Sequence, residues 1–380
     1  MKLLIISHTE HYYSQDGQLL GWGSTITELN HLSTFFDKIY HIAVLHSLDA
    51  PASALPYSAA NIQFIPIKPF GGPGFKDKAL ILLKAPAVLK LVWQYLKKAD
   101  CFQFRAPTGI GVFTIPFLIL FTNKKGWFKY AGNWNQENPS TGYYLQRLML
   151  SRQRRKVTIN GTWQGQPNHC LSFENPCLSN KNRKEGLEVV TAKKIIAPYD
   201  FCFVGRVEDE KGVGKILRVF KQLLNDDRVG KLHIVGLGKD YLRYSEAYAE
   251  FSGKINFYGA LPQEKVFELY KRSHFLLLPT SASEGFPKVI GEAMNFGCIP
   301  VTSPISSIGQ YIKDGTNGFI INPPTEESLF KVILTVLETN AGVLKEIVDG
   351  NYRLAEKFTY SNYIHRIKKE ILQIPQDVTL

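Results

Sequence analysis

Two carboxylates eight positions apart, Glu284 and Glu292, are the residues of this chain best placed to do chemistry. Glu284 is expected in a loop after the apolar run Phe275–Pro279, and Glu292 inside the following helix, which Gly297 ends. Pro287 suits the first helical position, because its fixed φ fits there and its missing N–H costs nothing. The free N–H groups of that helix end favour an anion or an electron-rich sugar oxygen. The two carboxylates could therefore hold two parts of one polyhydroxylated ligand.

Two cations form a second candidate set. Arg206 and Lys211 lie five residues apart in the turn after the predicted strand Asp200–Gly205. Parallel α/β sheets bind ligands beyond the carboxyl ends of their strands. Fixed cations there would stabilise an anionic leaving group more as it departs than while it is bound, as catalysis requires. The alternative is that both are solvated loop charges paired with Glu208 and Glu210.

Gly236 and Gly238 follow the next predicted strand. Glycines at such a position let the backbone approach a nucleotide closely. An ordinary tight turn explains a bare Gly-x-Gly as well, so a place beside the base or ribose is one of two interpretations.

The segment from Glu284 to Pro300 resembles the Glu-x7-Glu signature of retaining glycosyltransferases with the two-domain GT-B fold, in particular family 4 (glycosyl transferases group 1). Gly285-Phe286-Pro287 between the carboxylates and Ala293-Met294-Asn295-Phe296-Gly297-Cys298-Ile299-Pro300 after them carry the resemblance, which extends from about Phe201 to about Pro324.

The resemblance implies roles for these residues. Glu284 would contact hydroxyls of the donor sugar, Arg206 and Lys211 the diphosphate, and Glu292 the ribose hydroxyls. The alternative for Glu292 is an ion pair with Lys288 one helical turn away, worth only about 0.2–0.5 kcal/mol. The predicted catalytic residues are Arg206, Lys211 and Glu284, and the predicted donor-binding residues are Gly205, Gly236, Gly238, Gly285, Phe286, Pro287, Lys288, Val289 and Glu292.

The first half of the chain should supply the acceptor side. The glycine-rich loop 17–23, with Gly21 and Gly23, could close over the diphosphate or be only a flexible lid. Arg105 follows the predicted strand Cys101–Phe104, where many relatives place a His near the reacting centre; a structural salt bridge is the alternative. Asn133 ends another predicted strand and could contact a sugar, although side chains at strand ends also serve packing.

Strands alternate with helices along both halves, which predicts α/β units on parallel sheets. Together with the resemblance this predicts a GT-B fold, two Rossmann-like parallel-sheet domains facing across a cleft. The expected domains are residues 1–186 for the acceptor and 187–357 for the nucleotide sugar. Residues 358–380 are expected to form a helix that returns to the first domain, and Asn175–Lys194 is the candidate linker.

The net charge of +12 is unevenly distributed. Residues 1–186 hold 21 Lys and Arg against 10 Asp and Glu, and residues 187–380 hold 24 against 23. Two clusters contribute most: Lys76, Lys78, Lys84, Lys90, Lys97 and Lys98 in one predicted helix, with Leu80–Leu83, Val88, Leu89, Leu91 and Val92 between them, and Arg147, Arg152, Arg154, Arg155 and Lys156 at the end of another. An anionic membrane surface is the expected partner. A solvated helix face is the alternative, and no nucleic-acid-binding motif is present.

Five cysteines without metal-ligand spacing indicate reduced thiols in a cytoplasmic protein. The longest apolar stretch, Gly109–Phe121, falls short of the roughly 20 residues that a membrane span needs. The expected location is therefore cytoplasmic, peripheral on the inner face of the cell membrane.

These features predict a glycosyltransferase that moves a hexose-type sugar from a UDP-, GDP- or ADP-linked donor to a hydroxyl of a glycan or lipid-linked acceptor, in polysaccharide or lipopolysaccharide synthesis. The resemblance implies retention at the anomeric carbon. The chain has no Asp-x-Asp motif for a metal-bound diphosphate, so we expect neither metal nor cofactor. The alternatives are a nucleotide-sugar epimerase and a non-catalytic membrane- or glycan-binding module. A dehydrogenase is disfavoured because no Gly-x-Gly-x-x-Gly follows the first strand.

Overall fold

The computed structural model describes residues 1–69 and 75–375, with the side chains of residues 75–82 left out. The chain forms two compact units. Met1–Glu174 and Tyr363–Leu380 make the first, and Asn175–Asn362 make the second. The chain passes from the first unit to the second after Glu174, earlier than the boundary expected after residue 186.

The first unit is built on a sheet in which β1 is an inner strand, and Leu3, Leu4, Ile5 and Ile6 at the start of β1 are all fully buried. Such an uninterrupted apolar run is typical of a parallel strand covered on both faces. The parallel order is β5-β3-β1-β6-β7-β8-β9, and β2 and β4 add antiparallel pairings at the far end of β1. The strands are β1 Lys2–Tyr13, β2 Leu19–Trp22, β3 Lys38–Leu45, β4 Ala54–Pro56, β5 Ile62–Ile67, β6 Cys101–Ala106, β7 Lys125–Tyr130, β8 Val157–Ile159 and β9 Cys170–Ser172. The helices are α1 Gly23–Leu32, α2 Phe75–Lys98, α3 Gly111–Leu120 and α4 Thr141–Ser151.

Most of the predicted loop 17–23 is strand β2, the second arm of a hairpin with β1, so the prediction of a loop is wrong for Leu19–Trp22. Strand β2 pairs with β1 through His11 and Gly21. A Cβ on Gly21 would lie 2.6 Å from the His11 ring, and one on Gly23 would lie 2.3 Å from the Ser53 carbonyl oxygen. Both glycines therefore have a packing reason, since only a residue without Cβ lets these backbones approach so closely. Their place on the acceptor side stays a prediction.

The second unit has a wholly parallel sheet in the order β12-β11-β10-β13-β14-β15. Its strands are β10 Tyr199–Val204, β11 Val229–Val235, β12 Ile255–Phe257, β13 Phe275–Leu278, β14 Ile299–Thr302 and β15 Phe319–Ile320. Its helices are α5 Asn180–Ala192, α6 Val213–Gln222, α7 Tyr241–Ala247, α8 Gln263–Arg272, α9 Lys288–Asn295, α10 Ile308–Tyr311, α11 Glu326–Glu338 and α12 Ala341–Ala355. The chain returns to the first unit within α13, Tyr360–Arg366, and a π-helical turn, Ile367–Ile371, follows. The prediction of an α/β protein with two parallel-sheet domains is confirmed.

The predicted linker Asn175–Lys194 is mostly helix α5, so the linker interpretation is wrong. A capping box begins this helix. The Asn182 N–H donates to Ser179 Oγ at 3.2 Å, and the Ser179 N–H donates to Asn182 Oδ1 at 2.9 Å. These bonds satisfy N–H groups that a helix start otherwise leaves free, which explains why a segment rich in Asn and Lys is helical.

None of the helices in the described ranges combines the length and apolar character needed to cross a membrane. All five cysteines are buried and carry free thiols.

Candidate functional site

The predicted donor residues lie in the loops that follow three adjacent strands of the second unit, β11, β10 and β13, and in helix α9, and the loop after β14 lies beside them. Hydrogen bonds join each loop to the next. Val207 N–H donates to the Leu237 carbonyl at 3.1 Å, and Ser281 N–H donates to the Glu210 carbonyl at 2.9 Å. Glu284 N–H donates to Ser306 Oγ at 3.1 Å. Because the sheet is parallel, these loops share the edge at which such sheets bind ligands.

Gly236 and Gly238 are needed for the close contact between the first two loops. Gly236 has φ +127°, and a Cβ there would lie 1.9 Å from the Gly205 carbonyl oxygen. A Cβ on Gly238 would lie 2.5 Å from the Val207 carbonyl oxygen. The tight-turn interpretation accounts for both glycines, and their contact with a nucleotide stays a prediction.

Lys211 and Glu284 form an ion pair across the loops after β10 and β13. Lys211 ends a 3₁₀ turn, and Gly212 follows it in the left-handed region at φ +85°. A Cβ on Gly212 would lie 2.5 Å from the Pro279 carbonyl oxygen, so this glycine lets the two loops meet. The Lys211 side chain is 10% exposed and that of Glu284 is 39% exposed. One cation and one carboxylate of the predicted set thus come together, with Glu284 open to solvent.

Arg206 is placed differently from Lys211. Its side chain is 67% exposed, and its Nη1 lies 3.1 Å from Glu208 Oε1. This is the loop pairing that the sequence analysis gave as the alternative. Glu210, the other carboxylate named there, lies 3.6 Å from Lys239 Nζ.

The helix of the signature begins one residue later than predicted. Lys288 is its first residue, and Pro287 is the N-cap with φ −66° and ψ 125°. Gly285 is buried, and the Phe286 ring stacks on Phe358 at 4.7 Å between centroids. The side chain of Phe286 therefore belongs to the core, which leaves only its backbone for a ligand. Val289 is half-buried against the same core.

Glu292 is buried inside this helix. The Gln263 amide, at the start of α8, donates to Glu292 Oε1 at 3.1 Å. Burial raises the pKa of the Glu292 carboxyl, and the Gln263 hydrogen bond and the charge of Lys288 oppose that rise. A buried carboxylate is costly unless polar partners satisfy it, so Glu292 is suited to receive further hydrogen bonds.

Ser306 is a residue of this edge that the sequence analysis missed. It has φ +55°, a conformation that residues with a side chain seldom adopt, and it receives the Glu284 N–H. Strained backbone of this kind tends to occur at functional sites. The available signal was the pair Ser306-Ser307, which follows the strand Ile299–Thr302, since strand ends of parallel sheets carry ligand contacts.

In the first unit, Arg105 is held by a buried polar cluster. It pairs with Glu28, and its Nη1 donates to Thr25 Oγ1 at 3.2 Å and its Nε to Gln103 Oε1 at 3.1 Å. Lys129 Nζ donates to the same Glu28 carboxylate at 2.7 Å. The salt bridge given as the alternative for Arg105 is therefore present.

Asn133 lies half-buried in a turn after β7. Its Oδ1 accepts the Asn135 N–H at 3.0 Å, and the neighbouring Trp134 packs edge-on against Tyr130 at 5.0 Å. These contacts hold the turn, and a sugar contact by Asn133 stays a prediction.

A pocket of about 570 Å³ opens in the first unit beside Arg105. Ser7, Thr9 and Glu10, at and beyond the end of the apolar part of β1, line it together with Trp22. Of the predicted acceptor residues, Arg105 lines this pocket, and Gly21, Gly23 and Asn133 do not. Ser7 and Thr9 were missed, although polar residues directly after a predicted parallel strand are the signal that identified Arg206.

A buried hydrogen-bonded chain lies behind this pocket. Ser7 Oγ lies 2.8 Å from His41 Nε2, and His41 Nδ1 lies 2.6 Å from the Tyr57 hydroxyl. The same hydroxyl lies 2.7 Å from His11 Nε2. Burial lowers the pKa of His11 to about 4 and lowers that of His41 as well. Both imidazoles are therefore neutral at pH 7.

Acid should destabilise the protein through His11. The unfolded chain takes up this proton near pH 6.5, whereas the folded chain holds His11 neutral down to about pH 4. Acidification through this window therefore favours unfolding, by about 3 kcal/mol for His11 alone. Urea unfolding across pH 7 to 4 should show a stability loss smaller by about that amount in His11→Gln than in the wild type. Parallel pH curves for the two proteins would contradict the assignment.

Among the residues that the structure describes, no three His, Cys, Asp or Glu side chains group in a way that could hold a metal ion. Metal independence stays a prediction.

Known proteins resemble the second half of the chain in sequence. Residues 192–352 match the family described as Glycosyl transferases group 1. The lipopolysaccharide 1,6-galactosyltransferase of Salmonella typhimurium is 29% identical over 177 residues, 45% of this chain and 48% of that protein. The amylovoran biosynthesis glycosyltransferase AmsK of Erwinia amylovora is 22% identical over 183 residues, 46% of this chain and 45% of that protein. The matches span about half the length of these curated relatives.

Solved structures match nearly the whole chain. HepE of Anabaena in complex with UDP has a TM-score of 0.69 at 15% identity, covering 98% of this chain and 100% of that one. The sucrose-phosphate synthase of Thermosynechococcus elongatus has a TM-score of 0.71 at 14% identity, covering 98% and 99%. At such identities the likeness shows the fold alone, and that fold is GT-B, as the sequence predicted.

Proposed function

We propose that the protein is a glycosyltransferase that moves a hexose-type sugar from a nucleotide sugar to a hydroxyl of a glycan or lipid-linked acceptor, with retention and without a metal ion or cofactor. The observation that carries this proposal is the Lys211–Glu284 ion pair at the ligand-binding edge of the second sheet, inside the segment that matches Glycosyl transferases group 1. The lipopolysaccharide and amylovoran enzymes among the relatives favour a role in cell-surface polysaccharide synthesis.

In this proposal the ion pair opens to receive the donor. Lys211 Nζ turns to the diphosphate, whose negative charge grows as the glycosidic bond breaks, and Glu284 accepts hydroxyls of the sugar. Glu292 accepts the ribose hydroxyls, beside Gln263. Arg206, exposed and paired with Glu208 through Nη1, is the second cation for the diphosphate. The structures of HepE with UDP and with UDP-glucose favour a uridine donor over GDP- or ADP-sugars.

The acceptor hydroxyl attacks on the face from which the diphosphate departs. A leaving phosphate oxygen takes the hydroxyl proton, so the scheme requires no protein base. The Lys211 cation stabilises the negative charge left on the diphosphate. At this edge of the sheet it takes the place of a metal ion.

A donor screen tests the proposal. UDP-, GDP- and ADP-sugars are compared by thermal shift and by slow hydrolysis of the donor in the absence of acceptor. We expect the sugars of one nucleotide class to raise the melting temperature of the protein. Their slow hydrolysis should release free sugar with the anomeric configuration of the donor. An epimerised sugar nucleotide would identify an epimerase instead, and undetectable binding of every nucleotide would leave a non-catalytic module.

We also propose that the first unit binds an anionic membrane surface, on the inner face of the cell membrane. Counted over the units as they fold, the net charge is +10 for the first, with 21 Lys and Arg against 11 Asp and Glu, and +2 for the second, with 24 against 22. Val88 and Val92 are buried, so the apolar surface predicted between the α2 lysines is partly core. The side chains of Lys76 and Lys78 lie outside the described residues.

Leu83, from the predicted apolar stretch of α2, is 76% exposed, and this unit also exposes a patch of Trp93, Leu120 and Phe121, which are 42%, 72% and 65% exposed. The ring of Phe117 joins Trp93 and Phe121, with centroid distances of 6.1 and 5.6 Å. Lys97 Nζ lies 5.3 Å from the centre of the Trp93 ring, and Arg152 lines a groove with Leu120. Cations around an exposed aromatic patch suit phosphates above a lipid interface.

The protein should float with vesicles containing phosphatidylglycerol at low salt and less with neutral vesicles, because each basic residue near an anionic surface contributes about 1 kcal/mol. A variant with Trp93→Ser, Leu120→Ser and Phe121→Ser should lose most of this binding. Leu187→Ser, at a 52% exposed leucine of the second unit, is the control and should bind as the wild type does. If the triple variant floats as well as Leu187→Ser does, the patch does not contact the membrane.

A further inference from the structure

The carbonyl oxygens around His11 fix the direction of the hydrogen-bonded chain behind the first-unit pocket. His11 Nδ1 lies 3.0 Å from the Thr9 carbonyl oxygen and 3.2 Å from that of Val44. A carbonyl only accepts, so Nδ1 of the neutral ring carries the hydrogen and Nε2 is an acceptor. The Tyr57 hydroxyl must then donate to His11 Nε2.

The remaining hydrogens follow in turn. Because the Tyr57 hydrogen points to His11, the Tyr57 oxygen accepts from His41 Nδ1–H, and His41 Nε2 is left as an acceptor. The Ser7 hydroxyl therefore donates to His41 Nε2. The Ser7 oxygen accepts the Thr9 N–H at 3.2 Å, and its second lone pair can accept the hydrogen of the Thr9 hydroxyl, whose Oγ1 lies 2.8 Å away. Thr9 lines the pocket, and with its hydroxyl hydrogen on Ser7 its Oγ1 offers lone pairs only.

We propose that this pocket binds a neutral pyranose, with Thr9 Oγ1 accepting a sugar hydroxyl whose orientation the buried chain Ser7–His41–Tyr57–His11 dictates. This assignment rests on the proposed function in one respect, namely that the bound sugar is part of the acceptor. A hydroxyl of the ligand has to donate here, so the pocket selects against a ligand that offers only acceptor oxygens at this point.

The other side chains of the pocket favour a neutral sugar over an anion. The Arg105 guanidinium is already engaged by Glu28, Thr25 and Gln103. Glu10 adds a carboxylate, which would repel an anion and accept a second sugar hydroxyl. Trp22 is 45% exposed and offers a ring face of the kind on which pyranoses stack.

Two measurements on the full chain test the inference. First, ¹⁵N-histidine NMR of the wild type should show His11 and His41 both neutral with the hydrogen on Nδ1. Tyr57→Phe removes the hydroxyl that links the rings, so His41 should lose that fixed tautomer, whereas Tyr95→Phe, the same change elsewhere in the first unit, should not alter it. A wild-type His41 with its hydrogen on Nε2 would overturn the proposal.

Second, saturation-transfer NMR with methyl α-D-glucopyranoside and methyl β-D-galactopyranoside reports sugar binding. At least one probe should bind the wild type, and Thr9→Val, which keeps the shape of the side chain, should weaken it about five- to tenfold. The control Thr34→Val, at an exposed threonine of the same unit, should bind normally. No binding to the wild type, or equal binding by Thr9→Val, would overturn the proposal. UDP titrated into the same samples by calorimetry reports the second unit, so a failure of the proposed donor site is seen separately.

Discussion

Replacing Lys211 with Met is expected to lower the turnover number for sugar transfer by about 10²- to 10³-fold. The nucleotide sugar should bind only a few-fold more weakly. The difference arises because the diphosphate gains negative charge as the glycosidic bond breaks, so a cation beside it stabilises the transition state more than the bound donor.

The position of Lys211 makes this effect large. Its side chain is 10% exposed, so its charge is poorly screened by water, and the αL residue Gly212 fixes the turn that carries it. The Glu284 carboxylate is 39% exposed and can be solvated once its partner is removed. We therefore expect the variant to remain folded, with a change in melting temperature small enough for kinetics to be compared directly.

Initial rates at saturating donor, with calorimetric titration of the free nucleotide, separate the two effects. Lys231→Met, at an exposed lysine on β11, is the matched control and should retain wild-type kinetics. If Lys211→Met keeps its turnover number, or loses activity only through a raised KM, then Lys211 does not act on the leaving group.

The sequence predicted which polar turns lie at one edge of the second sheet, because strand ends need no long-range information. Arg206, Lys211 and Glu284 were predicted from apolar runs followed by polar turns, and a parallel sheet brings such turns to one edge. The sequence could not show which carboxylate each of the two cations would pair with. Lys211 meets a carboxylate more than seventy positions away, whereas Arg206 lies beside Glu208, two positions on.

The errors have local physical causes. Gly21 indicated a loop because glycine is frequent in turns, yet here it allows β2 to pack against the His11 ring. Ser179 and Asn182 indicated a linker by composition, although together they cap a helix. The hydrogen-bonded chain of His11, His41 and Tyr57 left no signal in the sequence, since the pairing of β1 with β3 brings the two histidines close and Tyr57 reaches them from the segment after β4.

Replacing Glu292 with Gln is expected to weaken nucleotide binding by about 10- to 100-fold while leaving the ligand-free protein as stable as the wild type or more so. A hydrogen bond from a ribose hydroxyl to a buried carboxylate is stronger than one to an amide. In the absence of ligand, burial raises the pKa of Glu292, which means that folding is penalised for holding this charge at neutral pH. The amide removes the penalty and can still accept from Gln263.

Calorimetric titration with UDP and urea unfolding of the ligand-free protein measure the two effects. Glu264→Gln is the matched control: it lies exposed on α8 next to Gln263, and it should change neither affinity nor stability. A variant Glu292→Gln that binds UDP normally but unfolds more easily would show that the carboxylate serves the fold. Loss of affinity at unchanged or increased stability is the result that only a ligand contact explains, because a residue kept for packing has no reason to remain a buried charge.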